Sequence, residues 1–300
     1  MLTDSREDLR VVPLRHPWRT ASAVVVVVAG VGAVWSLVKN PNVEWGIVRH
    51  YFVDGLVTNG VLVTLYLTFI AMAIGIVGGT AMAVMRLSEN PVVSAFARFY
   101  IWFFRGTPIL IQIIFWGYAG AIYPKVMIGI PFTHVTWFTA ESSSLITPML
   151  AAILSLGLNE IAYFAEIVRG GISGVSKGQT EAAYSLGLTP GATTRRIVLP
   201  QAMRIIVPPT GNEVLTMLKE TSLVSVIAGR DLMTAVQQIY SQNYQVIPLL
   251  VVGGLWYLIL TSVLSVPQRA LERRFGRSTV SAGTSGVRRM LFGTRQRARP

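Results

Sequence analysis

The chain has no cysteine among its 300 residues, which excludes disulfides and thiolate metal sites. It has three histidines, His16, His50 and His134. They are too far apart in sequence to give a metal-ligand spacing, so they are assigned to loops and interfaces and no metal is expected. Charge is scarce: Asp, Glu, Lys and Arg make up 13% of the chain, against about 25% in soluble domains. There is no GxxxxGK[ST] phosphate loop and no acidic strand end to hold its magnesium, so the chain itself should bind no ATP. There is no HExxH motif and no nucleophile–base constellation, which argues against a membrane-embedded enzyme. No small-residue cleavage site follows the first apolar run, so that run is read as a retained anchor rather than a leader. No internal repeat is visible.

Hydrophobic residues are what the chain has in abundance, at 52% with a mean hydropathy of +0.54. They fall into six runs, over 21–38, 56–85, 100–123, 145–168, 205–228 and 246–266. Each is long enough to cross a bilayer as a helix. The fold class is therefore an all-α polytopic membrane protein. Gly75, Gly78, Gly79 and Ala81 mark a stretch where helices should pack closely.

The net charge of +12 is not spread evenly. With the amino terminus in the cytosol, the segments 1–20, 86–107, 169–204 and 267–300 hold 21 Lys and Arg residues. The opposite loops hold four: Lys39, Arg49, Lys125 and Arg230. This asymmetry places both termini inside, at the cytoplasmic (inner) membrane. The carboxyl tail, 275–300, reads as a basic flexible segment near anionic lipid rather than a nucleic-acid binder. The longest external connection, 124–144, carries Phe132, Trp137 and Phe138, which suit the membrane interface.

Between the fourth and fifth runs lies a polar, basic stretch, EAAYSLGLTPGATTRRIVLPQA (181–202). Gly187 can end a first helix in a left-handed conformation. Thr189-Pro190 fits an N-cap followed by proline at the first helical position of a second helix. Leu199-Pro200 limits that second helix. Leu186, Leu188, Ile197 and Leu199 are candidates for packing this knob on itself, with Ala182 and Ala183 leaving a smooth surface for a partner.

Ionisable residues inside spans call for a partner or a function. Glu160 lies nine residues before Arg169, roughly 13 Å from the inner face. Glu166 is three residues from Arg169 and should pair with it. Lys219 stands in the fifth run. Glu160 and Lys219 have two readings. They contact a substrate's cationic group and carboxylate, or they pair with each other or with neighbouring spans. Asn159 and Gln112 join them as candidate pathway residues. Arg105, Gly106, Thr107 and Pro108 form a turn that breaks the helix near the cytosolic side, as a gate or as a simple elbow.

Five stretches carry a resemblance: FFRGTPILIQ (103–112), AYFAEIVRGGI (162–172), GQTEAAYSLGL (178–188), LPQAMRIIVPP (199–209) and NEVLTMLKETSLVS (212–225). Together they resemble the permeases of ATP-binding-cassette importers for polar amino acids, the family of histidine, arginine and glutamine uptake systems. The resemblance implies a type I importer transmembrane domain over 56–274, a five-span core preceded by an added anchor and external loop (21–55). It implies that Glu181, Ala182, Ala183, Gly187, Leu199 and Pro200 couple the spans to a cytosolic ATPase dimer, whose subunits would bind ATP and magnesium. It further implies a second permease subunit, identical or homologous, and an extracytoplasmic solute-binding protein. Glu160 departs from the small or aliphatic residue expected there in the family, which points to tuning for this substrate. The rivals are an ion-coupled secondary transporter and a permease of the same type for another small polar solute. The first would need repeated halves, which this sequence does not show.

Overall fold

The computed structural model describes residues 17–129 and 136–276. The readings made for His16, His134 and Phe132, for the head 1–16 and for the tail from 277 onward lie outside the described residues. Helix starts follow the local chemistry of the chain. The first helix, α1 (Pro17–Lys39), is valine-rich, and no residue of its apolar window Ala21–Lys39 is buried. Asn40 then caps a 3-10 turn by accepting from Asn42 N, and α2 (Trp45–Phe52) follows. Asp54 caps α3 (Gly55–Arg86) by accepting from Leu56 N. Asn90 caps α4 (Pro91–Gly106), with Pro91 at the first helical position. After α4 come α5 (Ile109–Gly117) and the short α6 (Ala119–Ile122). An antiparallel hairpin follows, β1 (Lys125–Gly129) and β2 (Thr136–Glu141), and then α7 (Ser142–Leu145). Thr147 and Pro148 start α8 (Pro148–Ser173) by the same capping device. Beyond it lie α9 (Lys177–Ser185), α10 (Pro190–Thr193), α11 (Leu199–Glu220), α12 (Leu232–Asn243) and α13 (Val246–Gly276).

Among the described residues, four helices are long and apolar enough to cross a membrane: α1, α3, α8 and α13. The α4–α5 pair makes a fifth if its bend, 96°, is counted within one span. The 100–123 run is thus corrected. It holds the end of α4, then α5 and the short α6, and α4 begins at Pro91, where Asn90 supplies a cap that hydropathy does not register. The 205–228 run is corrected as well. Its helix starts at Leu199 and ends at Glu220, and a 3-10 segment, Thr221–Ile227, completes the run. α11 is too polar to count as apolar, yet it packs on α3, α8 and α13. A helix of that composition is tolerated where neighbours cover it.

The centre of the bundle is the α3–α8 pair, which run side by side in the same direction. Gly75, Gly78 and Gly79 leave room for Glu160, Ile161 and Phe164, while Gly157 of α8 receives Ile74 in return. A Cβ on Gly75 would overlap the Glu160 side chain. Small residues here let two backbones approach, the usual device where lipid supplies no hydrophobic drive between helices. Ala81 does not join them and is exposed, because it lies on the opposite face of α3.

Three apolar clusters hold the rest. At one end Val57 and Val61 of α3 pack with Leu232 and Val236 of α12 and Leu249 and Val252 of α13. In the middle Leu67, Ile113, Leu156 and Met217 join α3, α5, α8 and α11. At the other end Ala83, Ile101, Phe164, Ala202 and Ile206 close the bundle beside the 181–202 hairpin.

Candidate functional site

The break between α4 and α5 follows from Pro108. Proline has no N–H, so the carbonyl of Phe104, four residues back, loses its helical donor. Two amides replace it: Gln112 Nε2 donates to Phe104 O at 3.0 Å and Asn159 Nδ2 donates to the same oxygen at 3.1 Å. Gln112 also donates to Thr107 O at 3.1 Å and to Thr107 Oγ1 at 2.8 Å, while its own Oε1 accepts from Asn159 at 3.3 Å. Tyr100 adds a further tie, donating to Leu158 O at 2.8 Å. Two residues singled out for the pathway, Asn159 and Gln112, are therefore clamps of the elbow. Arg105, Gly106, Thr107 and Pro108 form the elbow itself. It stands opposite Asn159, the twelfth of the 26 residues of α8, and so midway along that helix rather than near its end.

Glu160 is the neighbour of Asn159 and sits at the same level. It is 1% exposed, and its Oε1 has no hydrogen-bond partner. Its carboxyl group faces that of Glu213 on α11 within hydrogen-bonding reach, with Glu220 close by. Among the described residues it makes no salt bridge. Lys219 is exposed and interacts with Glu220, so the pairing of Glu160 with Lys219 is not formed. Three carboxylates, on α8 and α11, thus gather beside the elbow. Spacing alone did not bring Glu213 and Glu220 to attention together with Glu160; their partnership depends on the packing of α11 on α8.

Six residues further along α8, Glu166 has the opposite surroundings. Arg86 of α3 and Arg169 of α8 both pair with it, the latter at 2.9 Å, and Arg105 of α4 lies 3.8 Å away. The local Glu166–Arg169 pair expected from spacing is present, inside a larger knot that ties three helices.

The 181–202 hairpin leaves the same end of the bundle. α9 ends in a Schellman motif: Leu188 N bonds Ala183 O at 3.1 Å and Gly187 N bonds Tyr184 O at 2.9 Å, with Gly187 at φ +75°. Thr189 caps α10 by accepting from Ala192 N. Both signals were legible beforehand. The stop at Pro200 was not real. A single π turn, Thr194–Val198, joins α10 to α11, with Leu199 N bonding Thr194 O, so one unbroken helix runs over 190–220. The wider turn accommodates a proline that an α-helical register would reject. Leu186 is 82% exposed and Leu199 44%, so neither packs the knob, and Ala183 is buried beneath the surface that Ala182 helps to form. Glu181, Gly187 and Pro200 are also exposed. The outer face of the hairpin therefore offers Tyr184, Leu186 and Glu181 to whatever meets it.

Residues 75–277 match the family model described as the binding-protein-dependent transport system inner membrane component. The chain belongs to this family. The match covers the last part of α3 from Gly75 onward, all of α8, the elbow, the carboxylates and the hairpin. The permease is 42% identical to the arginine transport system permease protein ArgU of Corynebacterium glutamicum, over 91% of this chain and 85% of that one. It is 40% identical to the nopaline transport system permease protein NocM of Agrobacterium fabrum, over 67% of this chain and 80% of that one. Among solved structures, an amino acid ABC transporter with histidines superposes with a TM-score of 0.63 at 34% identity, covering 73% of this chain and 94% of that one. The MetNI methionine ABC transporter shares the fold, with a TM-score of 0.54 at 18% identity, covering 73% and 96%. The protein is thus a membrane-spanning permease component of the amino-acid ABC importer class with the type I transmembrane fold. Components of this family work with an ATPase and a binding protein.

Proposed function

We propose that this permease carries a cationic amino acid through the membrane and that Glu160 receives the cationic group. The observation that supports this most is the Glu160 carboxyl: almost wholly buried, midway along α8, with an unpartnered oxygen and a second carboxyl, Glu213, facing it. A buried carboxylate without a cation is costly. A guanidinium or ammonium arriving between α8 and α11 supplies the missing partner, and a guanidinium can bond both oxygens of one carboxylate at once. The name of the arginine permease relative fits this chemistry. Lys219, at the end of α11, is the cation assigned to the substrate's carboxylate.

The energy comes from a cytosolic ATPase dimer that grips the hairpin of residues 181–200. An extracytoplasmic binding protein delivers the amino acid, and a second permease subunit, identical or homologous, encloses it. ATP closes the ATPase dimer and moves the hairpin. Because the helix continues from the hairpin over 190–220, that motion is carried along it, through the joint at Pro208 and Pro209, towards Glu213. The elbow at Gly106 and Pro108, whose neighbours Phe104 and Thr107 are held by Asn159 and Gln112, forms the fixed corner against which α11 moves. Both termini lie in the cytosol, at the side of the hairpin.

Reconstitution of the permease with its ATPase and binding protein in proteoliposomes tests this reading. Uptake should require ATP and should favour arginine over glutamine. Gly187→Val should uncouple uptake from ATP hydrolysis while the subunits still insert, because β-branched residues tolerate φ +75° poorly. ATP-independent uptake, or equal uptake of neutral and cationic amino acids, would overturn it.

A further inference from the structure

A cavity of about 520 Å³ opens between α4, α8 and the last turn of α3, lined by Arg105 and Gly106 of the elbow and by Glu166 rather than Glu160 of α8. Its polar wall is Arg86, Arg98, Arg105 and Glu166, with Tyr163 behind. Arg169 reaches the same Glu166 from below. Three guanidinium groups, those of Arg86, Arg105 and Arg169, therefore share one carboxylate, and a fourth, that of Arg98, stands in the same wall. Arg86 and Arg169 hold Glu166 tightly and Arg105 lies over the Tyr163 ring, 5.2 Å from its centroid. Arg98 has only a neutral partner: it donates to Ser94 Oγ at 3.0 Å, and that hydroxyl donates to Arg86 O at 3.0 Å. No described carboxylate lies within salt-bridge distance of Arg98. The charge of the cavity is unbalanced by design of its lining, and an anion is what would balance it.

The rim adds a second, independent feature. Phe96, Phe99 and Phe103 follow the i, i+3, i+7 spacing of one helix face, and Trp102 adjoins them. All four are exposed, Trp102 at 69%. Phe99 stacks with Phe103 at 6.3 Å and tilts against Trp102 at 5.8 Å. An apolar aromatic stripe thus runs along α4 directly beside the arginine wall. A ligand that fills both must be amphiphilic, with an anionic head and a long apolar body.

We propose that this cavity binds an anionic phospholipid, with the phosphate held by Arg98, Arg86 and Arg105 and an acyl chain lying on the Phe96–Phe99–Phe103 stripe. Basic pockets between spans hold anionic headgroups by this combination of charge and depth, and guanidinium forks match phosphate oxygens in pairs. The site does not depend on which amino acid the permease carries. It places the lipid against Glu166 and the elbow, where it bridges α4 and α8.

The test uses the complete transporter, purified and placed in nanodiscs of mixed phosphatidylcholine and phosphatidylglycerol, which offer both leaflets. Native mass spectrometry should find phosphatidylglycerol retained over phosphatidylcholine. Arg98→Gln, on an exposed side chain outside the Glu166 knot, should lower that retention about fivefold. Trp102→Ala should lower it too, while the particles elute unchanged from a sizing column. Inorganic phosphate, titrated alone against detergent-solubilised transporter, should compete poorly. Retention unchanged by Arg98→Gln overturns the proposal. So does phosphate alone displacing the lipid completely with no effect of Trp102→Ala, which would identify a free-anion site. A change in subunit association with lipid retention intact would assign the face to a second copy of the chain and overturn it equally.

Discussion

Two glutamates on one helix, Glu160 and Glu166, stand less than two turns apart and are treated in opposite ways. Glu166 is surrounded by Arg86, Arg105 and Arg169, and each neighbour comes from a different place in the chain. Among the described residues Glu160 has no cation in salt-bridge range, and it has one unpartnered oxygen and two further carboxylates in view. The first arrangement is complete in a single chain and ties α3, α4 and α8 together. The second is incomplete in a single chain. Charge inside a membrane protein is costly unless answered, so a carboxylate answered internally serves the architecture, and one left unanswered is available to something that arrives.

The sharpest way to break this contrast is Glu166→Ala. It leaves three guanidinium groups facing one another and should lower the thermal stability of the assembled transporter by about 2–3 kcal/mol, somewhat under the cost of splitting a fully buried pair. Differential scanning fluorimetry in detergent reads it. Glu160→Gln should do the reverse. Stability should hold or rise, because a buried carboxyl group crowded by other carboxyls is removed, while uptake of a cationic amino acid should fall about tenfold to a hundredfold, the worth of one charged hydrogen bond. If both substitutions lower stability alike, the two glutamates are not different in kind. Gly75→Val comes next. Its side chain would enter the space of Glu160 and should cost about 1–2 kcal/mol by overpacking. Combining it with Glu160→Ala should recover part of that loss, as coupled neighbours do. The smallest effect belongs to Asn159→Leu. Gln112 still serves the Phe104 carbonyl, so the elbow should lose about 1 kcal/mol, with substrate selectivity unchanged.

Much of this was visible in the residues. The cap at Thr189, the glycine stop at 187 and the break at Pro108 are local chemistry and were read from adjacent residues, whereas the equally local caps at Asp54, Asn90 and Thr147 were passed over because hydropathy set the run boundaries. The α12 helix was not seen. It is short and amphipathic, and its only strong sign, Asp231 accepting from Met233 N and Thr234 N, resembles any turn. The β-hairpin was hidden for a similar reason: its two strands are five and six residues long and carry no turn signature on their own. Pro200 misled because a proline normally ends a helix, and the remedy is a widened turn that no residue type announces. Leu186 looked like core by composition and is exposed by geometry. Within the candidate site, Glu160 stood out as a charge in an apolar run. That it faces Glu213 rather than Lys219 depends on how α11 is rotated against α8, which no single segment specifies.

The unbroken 190–220 helix has a mechanical consequence. At 1.5 Å per residue it is a rod of roughly 45 Å, seated at one end in an exposed knob and at the other among the carboxylates. A swing of about 5° about Pro190 carries Glu220 sideways by roughly 4 Å, more than the length of a hydrogen bond. Consecutive prolines at 208 and 209 interrupt the ladder near the rod's middle, so any give in it is concentrated at one joint, a single turn before Glu213.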